Sequence, residues 1–261
     1  MGLSIMNNLS PNKIIEFGIS AMILPGQSES GDLYIVKETE KQILIGVVDG
    51  LGHGSEAANA AKLAVSVLNN YAHESVIALT KFCHDKLKST RGVVMALVTI
   101  NPADETLTWL SIGNVEGMLL RSDPHLTPSN PVYESIITRP GVVGYRLPTL
   151  YASVISITKG DLIILSTDGI NDDYIHLLAL DARHAYEQLT RSGERSSEEL
   201  LSEAEHYQAE IDHGTFKQYS DESNYLKSNH LRKSPQELAD HLCKRFNKGN
   251  DDALVVVVKY I

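Results

Sequence analysis

The sequence predicts an α+β fold in which antiparallel sheet forms the scaffold and helices pack on a sheet face. Short β-rich runs follow one another through the first two thirds of the chain with few helices between them, which favours hairpins over a doubly wound parallel sheet. Two stretches at helical spacing interrupt them. The chain then closes on ALVVVVKYI, apolar enough throughout for a buried central strand.

Taken in order, IIEFGISAMI, DLYIV and QILIGVVD read as strands bounded by Gly, Pro or Asp. A helix is expected from Ser55, a candidate cap, to about Tyr71, and a second from Glu74 to about Ser89. GVVMALVTI, TLTWLSI and VEGMLLR follow, and the Gly113–Asn114 pair fits a hairpin turn between the last two. LYASVISI and DLIILST complete this series. After Asp168 the composition shifts: from about 171 to 247 it is polar, charged and helix-prone, as in SSEELLSEAEHYQAEI and SPQELADHLCKRF. The part around Gly214 to Lys233 reads as an exposed loop or loosely ordered segment. A chain of 261 residues, 43% hydrophobic, suits one large single-core domain or a core with a substantial insertion. The reading adopted is one domain over 1–261, with the helical, polar insertion before the last strand.

Charge and cysteine usage exclude several classes. Thirty-three acidic against 23 basic side chains give a net charge of -10, a surface that repels a nucleic-acid backbone. Cys83 and Cys243 lie far apart with no CxxC, so neither a disulfide framework nor a thiolate metal site is indicated; both read as buried thiols on helices. MGLSIMNNLSPNK lacks a basic segment followed by an apolar run, and no stretch approaches the roughly 18 apolar residues of a membrane span. A cytoplasmic protein with no membrane partner is expected.

Three aspartates stand at the ends of strongly apolar strands: ILIGVVDG ends in Asp49 and Gly50, LIILSTDG in Asp168 and Gly169, and NDDALVVVV opens with Asp251 and Asp252. Taken singly, an Asp-Gly pair is a turn signal. Strand ends on one rim of a sheet can converge, however, and carboxylates without Lys or Arg nearby in sequence repel until a cation neutralises them. Hard oxygen donors favour magnesium or manganese over zinc.

The ordered set SGDLY, GVVDGLGHGSEAANAA, RGVVMALVTI, SIGNVEG, GVVG, KGDLIILSTDGI and NDDALVVVV resembles the metal-dependent protein phosphatases of the PPM superfamily. Within it, the bacterial SpoIIE/RsbX-like branch of stressosome and partner-switching signalling is the nearest likeness. The resemblance runs from about Glu16 to the C-terminus, interrupted by the polar stretch. It implies an α/β (α+β) sandwich of two central antiparallel sheets flanked by helices. It also implies a protein-serine/threonine phosphatase, in which water activated by two divalent cations, Mn2+ or Mg2+, hydrolyses phosphoserine or phosphothreonine without a phosphoenzyme. Asp49 resembles the carboxylate bridging both ions, with the Gly50 carbonyl as a further ligand, and Asp168 and Asp251 each resemble a ligand of one ion. Asp32 resembles the acid that orients water behind the ligands. The implied substrate is a phosphorylated STAS-domain or stressosome-type protein in a stress response.

The chain departs from larger relatives in three places. Leu51 follows the Asp-Gly where they carry a His, so His53, two residues on, is the candidate acid or water-orienting group, with capping of the following helix as the plain alternative. MILPGQSESG, ahead of Asp32, lacks their phosphate-gripping Arg. Asn114 stands where many carry Asp, which argues against a third metal and for a structural Asn. Asp252 is expected to orient the loop, and GVVG (Gly141 to Gly144) reads as a flap or a plain turn.

Two other functions compete. Gly52-His53-Gly54-Ser55-Glu56-Ala57 satisfies GxGxxA between a strand and a helix, but Asp49 and Glu56 would face a bound pyrophosphate and the flanks do not alternate strand with helix. The other is a catalytically weak or inactive phosphatase-like protein acting as a binding or regulatory module, with the polar stretch as its interaction surface.

Overall fold

The computed structural model describes residues 13–122, 132–180, 182 and 233–261. Most of the expected insertion, including the Gly214 to Lys233 stretch apart from Lys233 itself, lies outside these residues. One sheet has the strand order β1 (Ile15–Met22), β11 (Ala253–Tyr260), β10 (Leu162–Ser166), β6 (Glu116–Leu120), β7 (Tyr133–Ser135). The other runs β2 (Asp32–Glu38), β3 (Ile43–Gly50), β4 (Val93–Asn101), β5 (Thr106–Ile112), β8 (Thr138–Arg139), with β9 (Ser153–Ser156) also paired to β5. Among the described residues every pairing is antiparallel except the two-residue contact of β8 with β5. That pattern excludes the alternating parallel units a dinucleotide fold needs.

Continuous apolar strands have both faces to bury, and here they do. Ile43, Ile45 and Val47 of β3 meet Leu254, Val256 and Val258 of β11 between the sheets, with Trp109 and Ile163 in the same layer. Leu44 and Val48, on the opposite face of β3, pack under α1 (Ser55–Asn70) and α2 (Val76–Leu87). Val255 and Val257 face α3 (Pro235–Phe246) and a helical segment at 173–180. The result is four layers, helix, sheet, sheet, helix, and β11 is the interior strand its composition predicts. Cys83 and Cys243 are buried free thiols on α2 and α3, as expected.

Several local expectations are revised. Ser55 does not cap α1: the N-cap is Gly54 at φ 77°, with no side-chain cap bond. Ser75 caps α2 by accepting from the Ala78 N–H, and α3 begins with a reciprocal Ser234–Glu237 capping box. Gly113 and Asn114 do turn, with Gly113 at φ 93°, but β5 and β6 belong to different sheets, so the turn is a crossing between layers rather than a hairpin. A Cβ on Gly113 would lie 2.2 Å from Val94 Cγ1, which forbids a larger residue. The GVVG segment is pinned to its neighbours: Val93 and Val143 exchange backbone hydrogen bonds at 2.9 and 2.8 Å, and the Gly144 N–H donates to His84 Nδ1 at 3.0 Å. Of the two expected alternatives, these bonds favour the plain turn over the flap.

Far from the aspartate-rich rim, the buried Arg121 guanidinium donates to Asp161 at 3.0 Å, to the Ser156 carbonyl at 2.8 Å and to Glu134. Asp161 also accepts from the Ser122 and Thr158 N–H groups, both at 2.9 Å. Breaking a buried ion pair strands the remaining charge, so Asp161→Ala is expected to lower the stability of the fold by about 3 kcal/mol or more, read from the midpoint of urea unfolding. A loss below about 1 kcal/mol would show that the pair is dispensable.

Candidate metal centre

One rim of the sandwich collects the end of β3, the start of β2, the end of β10, the start of β11 and the β5–β6 crossing. Register puts Asp32 directly opposite Asp49. Thr167, just past β10, bonds across to the other sheet: its hydroxyl donates to Asp32 Oδ2 at 2.6 Å and accepts from the Leu254 N–H at 2.9 Å. Asp252 also spans the layers, accepting from the Leu24 N–H at 2.8 Å and the Gly31 N–H at 2.7 Å. The expectation that Asp252 orients the loop is thus matched by what its carboxylate touches.

Both Asp-Gly pairs owe their glycine to close packing rather than to a turn. A Cβ on Gly50 would lie 2.1 Å from the Ala57 carbonyl oxygen in the first turn of α1, and one on Gly169 would lie 1.9 Å from the Asp252 carbonyl oxygen. Neither glycine has a positive φ. The preceding aspartates are therefore held on the rim by backbone packed against backbone.

The carboxylates are near enough to feel one another's charge. Burial, and then the charges of Asp32, Asp168, Asp251 and Asp252, push Asp49 up to about 9. Burial raises Asp32 to about 7, opposed by the Thr167 hydroxyl and reinforced by Asp252, Asp168 and Asp251. Asp168 is raised by burial and by Asp251, while Lys248 and the Asn114 amide pull it down. As placed, however, no three His, Cys, Asp or Glu side chains among the described residues close on a single point at ligating distance. Asp168 Oδ2 accepts from the Asn114 amide, and Asp251 Oδ1 accepts from the Asp252 N–H at 2.8 Å.

Asn114, expected to be structural, donates from its amide to Asp168 itself, a partner the sequence did not suggest. His53 is exposed on the loop between β3 and α1 and does not cap the helix, that position being Gly54. Thr167 and Lys248 were missed; the polar residue in STDG was the signal for the first, whereas the second carried none. The donor set is all hard oxygen with mutually repelling charge, which fits divalent magnesium or manganese.

A family model described as Stage II sporulation protein E (SpoIIE) matches residues 39–261. The phosphoserine phosphatase RsbX of Bacillus subtilis (strain 168) is 29% identical over 169 residues, spanning 64% of this chain and 80% of that protein. A solved structure described as "The bacterial stressosome: a modular system that has been adapted to control secondary messenger signaling" aligns with TM-score 0.66 at 23% identity, covering 95% of this chain and 100% of that one. RsbX in complex with magnesium aligns with TM-score 0.64 at 21% identity, covering 97% and 98%. At these identities the two solved structures show a shared fold, the expected sandwich with flanking helices.

Because Asp32 and Asp49 hold protons more tightly in the folded chain, that chain binds more protons than the unfolded one from the ordinary value of 3.8 up to about 7 and about 9 respectively. Stability without added cations therefore falls as pH rises through that window. In chelator, the melting temperature is expected to drop between about pH 5 and pH 8.5, and Asp49→Asn to flatten the drop and raise stability at the alkaline end. A melting temperature that rises with pH would contradict this electrostatic picture.

Proposed function

The chain belongs to the SpoIIE family, and from that premise we infer that it is a metal-dependent protein phosphatase acting on phosphoserine or phosphothreonine in a partner-switching regulatory protein. The observation that carries this reading is that Asp49, Asp168 and Asp251 lie on one rim with Asp32 behind them, Asp49 feeling the charge of Asp32, Asp168 and Asp251, and Asp168 that of Asp251. Kinship with RsbX, a phosphoserine phosphatase, and the stressosome context of a structural neighbour support the substrate class. A STAS-domain or stressosome scaffold protein is the finer assignment. Among the described residues no helix is long and apolar enough to cross a membrane; a cytoplasmic location is part of the proposal.

Asp49, the Gly50 carbonyl, Asp168 and Asp251 would hold the two ions. Bound Mn2+ or Mg2+ supplies positive charge to the phosphoryl oxygens and makes water acidic enough to attack at neutral pH. The chain does the rest. Asp32 Oδ2 is committed to the Thr167 hydroxyl, which leaves Oδ1 to accept a hydrogen bond from the attacking water and align it. Asn114 holds the carboxylate of Asp168 in place. His53, exposed beyond Asp49, is suited to protonate the leaving serine oxygen. Residues 1–261 act as one domain, and the polar stretch within about 171–247 docks the phosphoprotein.

Purified protein with manganese, magnesium or chelator is expected to hydrolyse an aryl phosphate and a phosphoserine peptide only with metal. Asp49→Asn or Asp168→Asn should each cut the rate by about a hundredfold or more. No turnover with any metal, in protein shown to be folded, would overturn the reading in favour of a binding module. Deleting residues 193–233 should reduce action on the cognate phosphoprotein more than on the aryl phosphate; equal loss on both would remove the docking role.

A further inference from the structure

A rim of carboxylates repels the dianion it is proposed to hydrolyse, and the segment before Asp32 offers no Arg or Lys. Two other cations stand beside the site. Arg91, just ahead of β4, reaches the glycine loop: a Cβ on Gly52 would lie 2.8 Å from its Nη1. Its guanidinium is already paired with Glu56 in the first turn of α1, and its charge is not among the influences on Asp49, Asp32 or Asp168.

Lys248 is placed differently. It lies on the short loop between α3 and β11, three residues before Asp251, and that loop is tied to the loop after β10. The Lys248 N–H donates to the Gly169 carbonyl at 2.9 Å, the Asn171 N–H donates to the Phe246 carbonyl at 2.8 Å, and Ile170 bridges Asn247. The Lys248 side chain turns back so that Nζ donates to the Asp168 carbonyl at 2.8 Å. This aims the ammonium at the rim from the side of Asp168. Among the described residues it makes no ion pair.

An ammonium has three N–H donors and needs only one for that carbonyl. We propose that Lys248 is a substrate-contacting residue of this site, its two remaining donors gripping non-bridging oxygens of the phosphoryl group. This assignment rests on the phosphatase reading for its substrate and names a side-chain cation at the rim that is not already paired with a carboxylate. Its influence on Asp168, the one lowering charge felt there, agrees with the placement. A bystander clamp is the competing role, since the same amine also joins the two loops.

Binding of inorganic phosphate to the full chain in manganese, measured by calorimetry alongside steady-state kinetics on an aryl phosphate, separates the two. Hydrogen bonds to charged groups contribute about 1.5 to 3 kcal/mol, so Lys248→Gln is expected to weaken phosphate binding and raise KM by about tenfold or more. Its kcat should change less than these, and Lys248→Arg should restore most of the loss. Unchanged phosphate affinity in Lys248→Gln, with or without a fall in kcat, would overturn the proposal and leave Lys248 as a clamp. Failure of the wild type to turn over aryl phosphate would count against the phosphatase reading instead, while the phosphate titration would still decide the role of Lys248.

Discussion

Mutual repulsion among the carboxylates of one rim is the constraint on which the architecture turns. Like charges gathered away from bulk water repel more strongly than in solvent. Burial first, and then the charges of neighbouring aspartates, push Asp49 and Asp32 up, so folding has to place these side chains together against their own preference. The compensation is distributed. Two sheets that are apolar on both faces supply the driving force, and neutral donors on the rim, among them Thr167, Asn114 and the Leu24 and Gly31 N–H groups, absorb part of the negative charge without cancelling it. What remains uncancelled is what a divalent cation or a lysine can use.

The same donors solve a mechanical problem. Asp32 and Asp49 belong to one sheet, Asp168 and Asp251 to the other, and two packed sheets could slide relative to each other. Thr167 prevents this by bonding Asp32 in one layer and the Leu254 N–H in the other through a single hydroxyl. Asp252 does so from the start of β11 to the 24–31 loop that leads into β2. A carboxylate that binds no ion in the proposed scheme is therefore as important to the site's shape as those that do. The near contacts at Gly50 and Gly169 fix the height of the rim, because no side chain can be inserted at either place without moving α1 or the start of β11.

The strands were legible because burial on both faces leaves an unbroken apolar run, and the rim aspartates because they end such runs. What the sequence hid is what depends on which layer a strand joins. TLTWLSI and VEGMLLR read as neighbours, yet periodicity carries no record of a change of sheet, so Gly113 and Asn114 were assigned a hairpin. Asp-Gly was ambiguous for a related reason: the residue pair is the same whether Gly supplies a turn or a bare backbone surface, and only the position of Ala57 or of the Asp252 carbonyl decides it. Gly54 displaced Ser55 as the cap because a φ of 77° suits glycine and carries the chain from β3 into α1. Lys248 was invisible since its partner, a backbone carbonyl, belongs to a residue 80 positions away.

Charge placement, finally, reconciles an acidic protein with an acidic substrate. A net charge of -10 disfavours the approach of a phosphoprotein over long range, but salt screens exposed charges beyond about 8 to 10 Å, so the encounter is governed by what the rim presents locally. Locally the negative charge is recessed: Asp32 and Asp252 are buried, and Asp49, Asp168 and Asp251 are each half-buried. Lys248 is exposed beside them, whereas the exposed Arg91 is paired with Glu56. Recessed carboxylates with an exposed ammonium at their edge are what the proposed substrate contact requires. The depth of the aspartates is set by the glycines beneath them, so the sign of the site as a substrate meets it follows from how closely the backbones pack at Gly50 and Gly169.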